Sequence, residues 1–351
     1  MDQTETMRFA VLEGVKKATV HTRRLPKPGA GEVLLKNSAC NICTTDYGQW
    51  LGLRQHQPFP KAVGHETSGV IIAKGPDVGE EFQVGDHVAI GNESCGECRA
   101  CKTGRTSECT GGNFSGAVPS EDGYYGIFGC SDYLVKRARA LYKMEPSIDP
   151  SEAAFLEPLA TVAEGCNRLR IQPKERIAVI GAGTMGLLNA QVARTYGCRV
   201  FITEMMDKKL NTAADMGFDV IDVRAADPVE QILAQTDGEG VDAVIVAVGA
   251  TSANEQAIRM LKKLRGRALF FAAGYPAPEL HVDSNLIHYR KLELIGTYSA
   301  DRVSFVEAAR LLNEREVDVS HLIEARFPLD DLQQAYEAAA TQGAYRVSVL
   351  L

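Results

Sequence analysis

The sequence has no surplus of positive charge and no long apolar run. Its 351 residues carry 38 lysines and arginines against 45 aspartates and glutamates, which gives a net charge of −7. No basic run interrupts this acidic balance, which argues against a nucleic acid as a partner. No stretch is long and uncharged enough to span a bilayer, so we expect no membrane partner either.

The amino-terminal sequence, MDQTETMRFA, lacks the basic flank and apolar core of a secretory signal. We therefore expect a cytoplasmic protein. In that compartment the nine cysteines favour metal ligands or buried thiols over a disulfide framework. The length predicts about two domains, and an apolar fraction of 45% with 24% charged residues is typical of a globular chain.

A glycine turn lies between two predicted strands in the stretch from Arg176 to Glu204. Gly181, Gly183 and Gly186 form G-x-G-x-x-G there. Without a Cβ, the first can make the turn, the second lets a pyrophosphate approach, and the third lets helix and strand pack closely. The following helix offers free N–H groups to phosphates, and Glu204 stands where an acid accepts hydrogen bonds from a ribose. The stretch predicts a dinucleotide-binding unit; the alternative is a glycine turn in another α/β unit.

The sequence pattern changes near Pro150. Before it, apolar runs at 7–12, 32–39, 67–73 and 87–90 alternate with proline and glycine, which predicts a β-rich region with little helix and a loop at 91–125. Ser151 then opens a helix as its cap. Val/Ile/Ala-rich strands and helices alternate afterwards, as in a parallel sheet covered on both faces. The predicted helices are 208–216, 253–264, 304–313 and 329–341, and the predicted strands are 177–180, 199–203, 242–248, 267–273, 292–295 and 346–351.

Two constellations suggest metal sites. One is C-x2-C-x2-C-x7-C, and four thiolates this close can complete a tetrahedral structural zinc site; its residues are Cys95, Cys98, Cys101 and Cys109. The other is dispersed: a Cys, a His and a carboxylate form a catalytic zinc set with an open fourth position. Its members are Cys43, His65, Glu66 and Glu157. Alone, the His65-Glu66 pair also suits a surface or core pair, and Glu157 also suits a helix-terminal acid.

The order of C-x-[ST]-D, G-H-E, the four clustered cysteines, E-P-L and G-x-G-x-x-G resembles the zinc-dependent medium-chain dehydrogenase/reductase superfamily. The chain looks most similar to its sorbitol (polyol) and threonine dehydrogenase branch, over essentially the whole length. The resemblance implies an α/β fold with a Rossmann-type parallel-sheet NAD-binding domain at 157–297. That domain would be inserted into a β-rich GroES-like catalytic domain with a structural zinc lobe, at 1–156 and 298–351.

The resemblance also implies roles for the metal-site residues. Cys43 and His65 would hold the catalytic zinc, and Glu66 would be a neighbouring acid that can swing onto the metal. A glutamate at position 157, as in the polyol branch, would bind zinc directly or through water. Asp46 would orient His65, and Thr45 would take the proton of the substrate hydroxyl. The four clustered cysteines match the structural zinc lobe.

The predicted cofactor is NAD, with a carboxylate at position 204 repelling the 2′-phosphate of NADP. The residues predicted to contact it are Gly181, Gly183, Thr184, Met185, Gly186, Glu204, Val248, Gly249, Gly274 and Thr297.

Two positions depart from the family pattern. Liver-type enzymes have a relay histidine five residues after the zinc cysteine, whereas this chain has Gly48 there, with His56 nearby in sequence. Sorbitol dehydrogenases have an Arg-Tyr pair that contacts the polyol, whereas the matching residues here are Ser299 and Ala300. The second departure leaves another polyol, a sugar acid or a cyclitol open as the substrate.

We therefore expect an enzyme that interconverts a secondary alcohol and its ketone, using one catalytic zinc, one structural zinc and NAD. A small-molecule partner and a homo-oligomer, tetramer or dimer, follow from the resemblance. An L-threonine 3-dehydrogenase or a ketone reductase is an alternative. A non-catalytic, crystallin-like NAD-binding protein is another class, which the intact zinc ligands disfavour.

Overall fold

A computed structural model describes residues 5–111 and 116–351. Residues 1–4 of the predicted first domain and 112–115 of the predicted 91–125 loop lie outside the described residues. The chain divides into two compact units, Met1–Ala160 with Ala300–Leu351, and Thr161–Ser299. Within the described part of the chain, no helix has the length and apolarity needed to cross a membrane.

The strands are β1 (Thr6–Gly14), β2 (Lys17–Arg24), β3 (Glu32–Ile42), β4 (Lys61–Ala62), β5 (Glu66–Lys74), β6 (His87–Ile90), β7 (Tyr125–Gly126), β8 (Tyr133–Arg137), β9 (Leu141–Lys143), β10 (Arg176–Ile180), β11 (Arg199–Glu204), β12 (Asp219–Asp222), β13 (Ala243–Val246), β14 (Arg267–Phe270), β15 (Glu293–Gly296), β16 (Ile323–Pro328) and β17 (Arg346–Leu350). The α-helices are α1 (Thr44–Trp50), α2 (Arg99–Lys102), α3 (Pro150–Ala153), α4 (Leu156–Leu169), α5 (Thr184–Thr195), α6 (Asp207–Asp215), α7 (Pro228–Ala234), α8 (Thr251–Met260), α9 (Ser284–Arg290), α10 (Arg302–Asn313) and α11 (Leu332–Ala339).

The unit Thr161–Ser299 is built on a parallel sheet in the order β12-β11-β10-β13-β14-β15. Its central strands are apolar without alternation because both faces are buried; Ile177, Ala178 and Val179 have no exposed surface. The helix predicted at 253–264 ends at Met260. The prediction is wrong for residues 261–264, because Leu261 has an extended backbone conformation. The parallel Rossmann-type sheet predicted from the sequence is confirmed.

The other unit contains a sheet in the order β16-β17-β3-β5-β6-β9, with β8 also paired to β3, and a smaller sheet β2-β1-β4-β7. Three strand ends meet at one edge of the larger sheet. Asn41 of β3 lies opposite Glu66 of β5, and Ile42 lies opposite Val347 of β17. The residues just beyond these pairs are therefore brought together although they are far apart in the sequence.

Helix α1 begins directly after β3 and was missed by the expectation of little helix before residue 150. Its sequence, TTDYGQW, has β-branched residues and a glycine, which are weak helix formers. Burial compensates: Trp50 is 5% exposed and packs against Tyr336 of α11, with ring centroids 6.1 Å apart. The helix is therefore held by tertiary packing at the point where the sheet edge ends.

Helix α3 is capped by Asp149, not by Ser151 as predicted. The Asp149 carboxylate accepts a hydrogen bond from the Ser151 backbone N–H at 2.9 Å. Pro150 occupies the first helical turn, where its missing N–H costs nothing. Because the Ser151 carbonyl accepts from Asn41 and the Pro150 carbonyl accepts from Ser68, this capped turn is fixed to β3 and β5.

The turn between β10 and α5 depends on glycine at two positions. Gly181 has a φ of +99°, which favours glycine. A Cβ at Gly186 would stand 1.9 Å from the Gly181 carbonyl oxygen, whereas a Cβ at Gly183 would meet only Lys209 Nζ, at 3.7 Å. Close packing thus demands glycine at 186, while position 183 has free space above it.

This difference predicts unequal effects of two alanine substitutions. Gly186→Ala should destabilise the protein by about 1–3 kcal/mol, because the methyl group overpacks against backbone, while Gly183→Ala should leave the unfolding free energy nearly unchanged. Urea denaturation of both variants measures this. Equal stabilities of the two variants would contradict the packing argument.

Candidate metal and active sites

The four clustered cysteines form a compact sulfur set. Their Sγ atoms all lie within 4.8 Å of one another, with Cys98 3.5 Å from Cys101 and 4.0 Å from Cys109. Zinc–sulfur bonds of about 2.3 Å in a tetrahedron place the sulfurs about 3.8 Å apart. The spacing therefore fits a closed, four-thiolate zinc site.

Backbone amides in this loop point at the sulfurs. The Cys95 N–H donates to Cys109 Sγ at 3.2 Å, and the Cys98 N–H donates to Cys95 Sγ at 3.3 Å. Hydrogen bonds from backbone N–H groups, first from Cys101 and then from Thr110, lower the pKa of Cys98 to about 6. Burial instead raises the pKa of Cys101 to about 11, so the loop favours the thiolate form that a metal requires at Cys98 but not at Cys101. The four cysteines outside the two potential metal sets are buried thiols: Cys40, Cys130, Cys166 and Cys198.

The second set comes together at the edge where β3, β5 and β17 meet. Cys43 caps α1, and His65 and Glu66 stand at the start of β5. The Sγ of Cys43, a ring nitrogen of His65 and a carboxylate oxygen of Glu66 lie within 4.8 Å of one another. Glu157 is not part of this set, although its charge interacts with His65 and Glu66.

Asp46 holds this set in place from the buried side of α1. Its Oδ2 atom accepts from the Cys43 backbone N–H at 3.1 Å and lies 3.5 Å from His65 Nδ1. Burial would lower the pKa of His65, but Asp46 and then Cys43 raise it well above its usual value. An imidazole held at Nδ1 has Nε2 available for a metal, as the predicted role of Asp46 requires.

Arg346, at the start of β17, contacts two members of this set, and the sequence did not predict it as a site residue. Its guanidinium donates to both Glu66 oxygens, at 2.8 Å from Nε and 2.5 Å from Nη2, and Nη2 also lies 3.7 Å from Cys43 Sγ. The Arg346 and Glu66 side chains are 5% and 0% exposed. A lone arginine opening an apolar strand was the only sequence signal, and it did not indicate a partner.

Glu157 lies at the start of α4, the helix in which the boundary between the two units falls. Burial raises the pKa of Glu157 to about 7, with His65 opposing this effect and Glu66 adding to it. A cation beside this carboxylate would favour its ionised form. Together with a cysteine, a histidine and a second acid, the residues fit a zinc ion with nitrogen, sulfur and oxygen ligands.

The glycine turn provides a cradle in the unit Thr161–Ser299. The space above Gly183 is bordered by the Lys209 ammonium group, a cation near the predicted pyrophosphate position. A Cβ at Gly181 would clash with Val248 Cγ1 at 2.5 Å, and Gly249 and Gly274 approach each other so closely that neither has room for a Cβ. Thr297 Oγ1 is buried with no hydrogen-bond partner among the described residues. Open space, a cation and an unpartnered hydroxyl fit a dinucleotide.

Glu204 is turned back onto this glycine turn. Its Oε2 accepts from the Ala182 N–H at 2.9 Å, and its Oε1 accepts from the Met205 and Met206 N–H groups at 2.7 and 3.1 Å. Each carboxylate oxygen has two lone pairs, so acceptor capacity remains for a ribose hydroxyl. The backbone thus fixes a negative charge beside the turn.

Two family models match the chain. One, described as "Alcohol dehydrogenase GroES-like domain", covers residues 29–146, and the other, described as "Zinc-binding dehydrogenase", covers residues 184–314. Together they cover parts of both compact units.

Curated relatives match over nearly the whole chain. L-threonine 3-dehydrogenase of Pyrococcus abyssi is 31% identical over 324 residues, 89% of each chain. Sorbitol dehydrogenase of Halalkalibacterium halodurans is 29% identical over 95% of this chain and 96% of its own length. L-galactonate-5-dehydrogenase of Escherichia coli is 28% identical over 95% of each chain.

A solved structure has the same fold. A zinc-binding dehydrogenase of Sinorhizobium meliloti, bound to NADP, superposes with a TM-score of 0.86 at 25% identity, covering 99% of this chain and 100% of that one. The predicted combination of a GroES-like fold and a Rossmann-type fold is therefore confirmed. The chain is an oxidoreductase that belongs to the zinc-dependent medium-chain dehydrogenase/reductase superfamily, in the branch of the polyol and threonine dehydrogenases.

Proposed function

We propose that this protein is a zinc-dependent, NAD(H)-linked dehydrogenase that interconverts a secondary alcohol and its ketone, the alcohol being a polyol, a sugar acid or a cyclitol. The observation that carries the proposal is the meeting of Cys43, His65 and Glu66 within 4.8 Å, directly beside the helix that carries Thr45. The relatives named sorbitol dehydrogenase and L-galactonate-5-dehydrogenase support this substrate class.

In this proposal the catalytic zinc is held by Cys43, His65 and the carboxylate of Glu157. Glu66 is not a ligand as long as it stays hydrogen-bonded to Arg346. A zinc ion held by such residues lowers the pKa of a bound hydroxyl, as it lowers that of water from ~15.7 to ~7. Thr45, on the partly exposed side of α1, accepts the proton. Asp46 keeps the His65 ring oriented, so that the ligand does not rotate away.

The dinucleotide would bind at the glycine turn, where the N–H groups of Thr184 and Met185 at the start of α5 and the Lys209 ammonium face its phosphates. Glu204 would accept from the ribose and repel a 2′-phosphate. NAD is therefore the proposed cofactor, and when bound it would supply the nicotinamide as the hydride acceptor. A cytoplasmic location and a tetrameric or dimeric assembly stay predictions of the family resemblance.

An L-threonine 3-dehydrogenase is the second candidate, favoured by the 31% identity to the Pyrococcus abyssi enzyme. Both candidates use the same zinc and cofactor residues, so only the substrate separates them. A non-catalytic, crystallin-like role is disfavoured because both sets of potential zinc ligands are present among the described residues.

A substrate screen tests the proposed function. The zinc-loaded protein should reduce NAD with at least one polyol, sugar acid or cyclitol, with kcat/KM at least about 100-fold above that for L-threonine, since the correct set of hydroxyl contacts is worth several kcal/mol. Treatment with a zinc chelator should abolish the rate. Preference for L-threonine would establish the second candidate, and no NAD reduction with any of these alcohols would refute both.

Cys43→Ala tests the zinc assignment. The variant should fall from two zinc ions per chain to one, since only one ligand set stays complete, and turnover should be abolished while NAD binding persists. Metal analysis, an activity assay and fluorescence titration of NAD measure these three effects. Cys198→Ser, at a buried thiol outside both sets, should retain both zinc ions. Comparable turnover in Cys43→Ala and the unchanged protein would refute the assignment of Cys43 as a ligand of the catalytic zinc.

Cofactor choice tests the role of Glu204. The protein should prefer NAD over NADP by at least about tenfold in kcat/KM, because a carboxylate next to a 2′-phosphate costs more than 1.4 kcal/mol, or about one factor of ten. Glu204→Gln, which removes the charge and keeps the shape, should lower the ratio of kcat/KM with NAD to kcat/KM with NADP. Asp219→Asn, at the start of β12, is the control for loss of an acid. A preference for NADP in the unchanged protein would overturn this role.

A further inference from the structure

The Arg54 side chain packs against Gly48 of α1, the position at which liver-type enzymes have a relay histidine. A Cβ added to Gly48 would stand 3.4 Å from Arg54 Cδ and 3.5 Å from Arg54 Nε. Gly48 is buried even though its neighbours Thr44 and Thr45 are exposed or partly exposed. Because Gly48 has no side chain, it leaves a space on α1 that the stem of Arg54 occupies, and we call this space the seat of Arg54.

The seat lies on the functional face of the helix. Residues three and four positions apart share one face of an α-helix, so Gly48 shares a face with Thr44 and Thr45. The other face, formed by Asp46, Gln49 and Trp50, is buried. The stem of Arg54 therefore lies one helical turn from Thr45, the proposed proton acceptor.

Two basic side chains, Lys61 and His56, lie close to Arg54. Residues 47–65 contain no aspartate or glutamate, in a chain whose net charge is −7. Lys61 is 7% exposed, its Nζ donates to the Gln49 amide oxygen at 2.8 Å, and the Asp46 carboxylate is the acid that acts on its charge. Burial, and then the charges of Lys61 and Arg54, lower the pKa of His56, so these basic groups are close enough to repel one another.

Such a cluster attracts an anion. Clustered positive groups in a partly desolvated place create a potential that concentrates a negatively charged ligand, and the planar guanidinium fork binds carboxylate or phosphate oxygens in pairs. The proposed sugar-acid substrate offers such a group, its carboxylate.

We propose that Arg54, seated on Gly48, binds an oxyanion of a reactant on the Thr45 face of α1. The oxyanion is the carboxylate of a hydroxy-acid substrate. The proposal rests on the proposed dehydrogenase function and deepens it, because it would make a sugar acid, and not a neutral polyol, the preferred substrate.

Arg54→Gln tests the proposal, with L-galactonate and galactitol as the charged and neutral substrates. Arg24→Gln is the matched control, since Arg24 is an exposed arginine on β2 in the same unit. If the carboxylate is the ligand, the ratio of kcat/KM for galactonate to that for galactitol falls about 10- to 100-fold in Arg54→Gln.

The proposal is overturned if this ratio does not change in Arg54→Gln, or if Arg24→Gln changes it equally. Gly48→Leu keeps the charge but fills the seat, and it should reproduce the shift seen in Arg54→Gln; an unchanged ratio in a folded Gly48→Leu protein would contradict the seat. Calorimetric Kd values for galactonate, with the zinc-loaded protein, separate this test from the proposed function. If no alcohol is turned over, weaker binding of galactonate in Arg54→Gln still supports Arg54, and equal binding refutes it.

Discussion

The buried ion pair between Glu66 and Arg346 is the interaction on which the metal set depends. Its two side chains are almost fully buried and joined by two hydrogen bonds. Removing one partner of such a pair leaves an uncompensated charge, at a cost of about 3–5 kcal/mol. The partners are 280 residues apart in sequence, so the site is complete only when the last strand, β17, has joined β3. His65, a proposed zinc ligand, immediately precedes Glu66, and its position is therefore tied to the same pairing.

The two sets of potential zinc ligands are built in opposite ways. The four cysteines are contributed by one loop whose own backbone N–H groups point at the sulfurs, so local chain geometry defines that set. The set around Cys43 is contributed by the ends of distant elements and is fixed by Asp46, Arg346 and the packing of Trp50. A closed set suits a structural ion, whereas a set with ligands from several elements leaves one side open for a reactant.

The sequence predicted the parts that depend on local pattern. The glycine turn, the parallel strands and the four-cysteine loop each have a short-range signature, and the structure has all three. It did not predict α1, because a helix of seven residues containing Gly48 is stabilised by tertiary contacts, such as that of Trp50 with Tyr336 of α11, and not by its own sequence. It did not predict Arg346 as a site residue, because its partner is defined by the register of β17 on β3. It misassigned the cap of α3, because Asp149 and Ser151 are both good capping residues and only the backbone conformation separates them.

Charge balance explains why Arg346 matters to the chemistry as well as to the fold. In the proposed ligand set, Cys43 and Glu157 contribute two negative charges, which match the two positive charges of zinc, while His65 is neutral toward the metal. Glu66 would add a third negative charge and reduce the ability of the metal to acidify a bound hydroxyl. Because Arg346 donates to both Glu66 oxygens, it neutralises this carboxylate beside the metal. The chain can therefore keep a second acid close to the site without lowering the positive charge that the reaction requires.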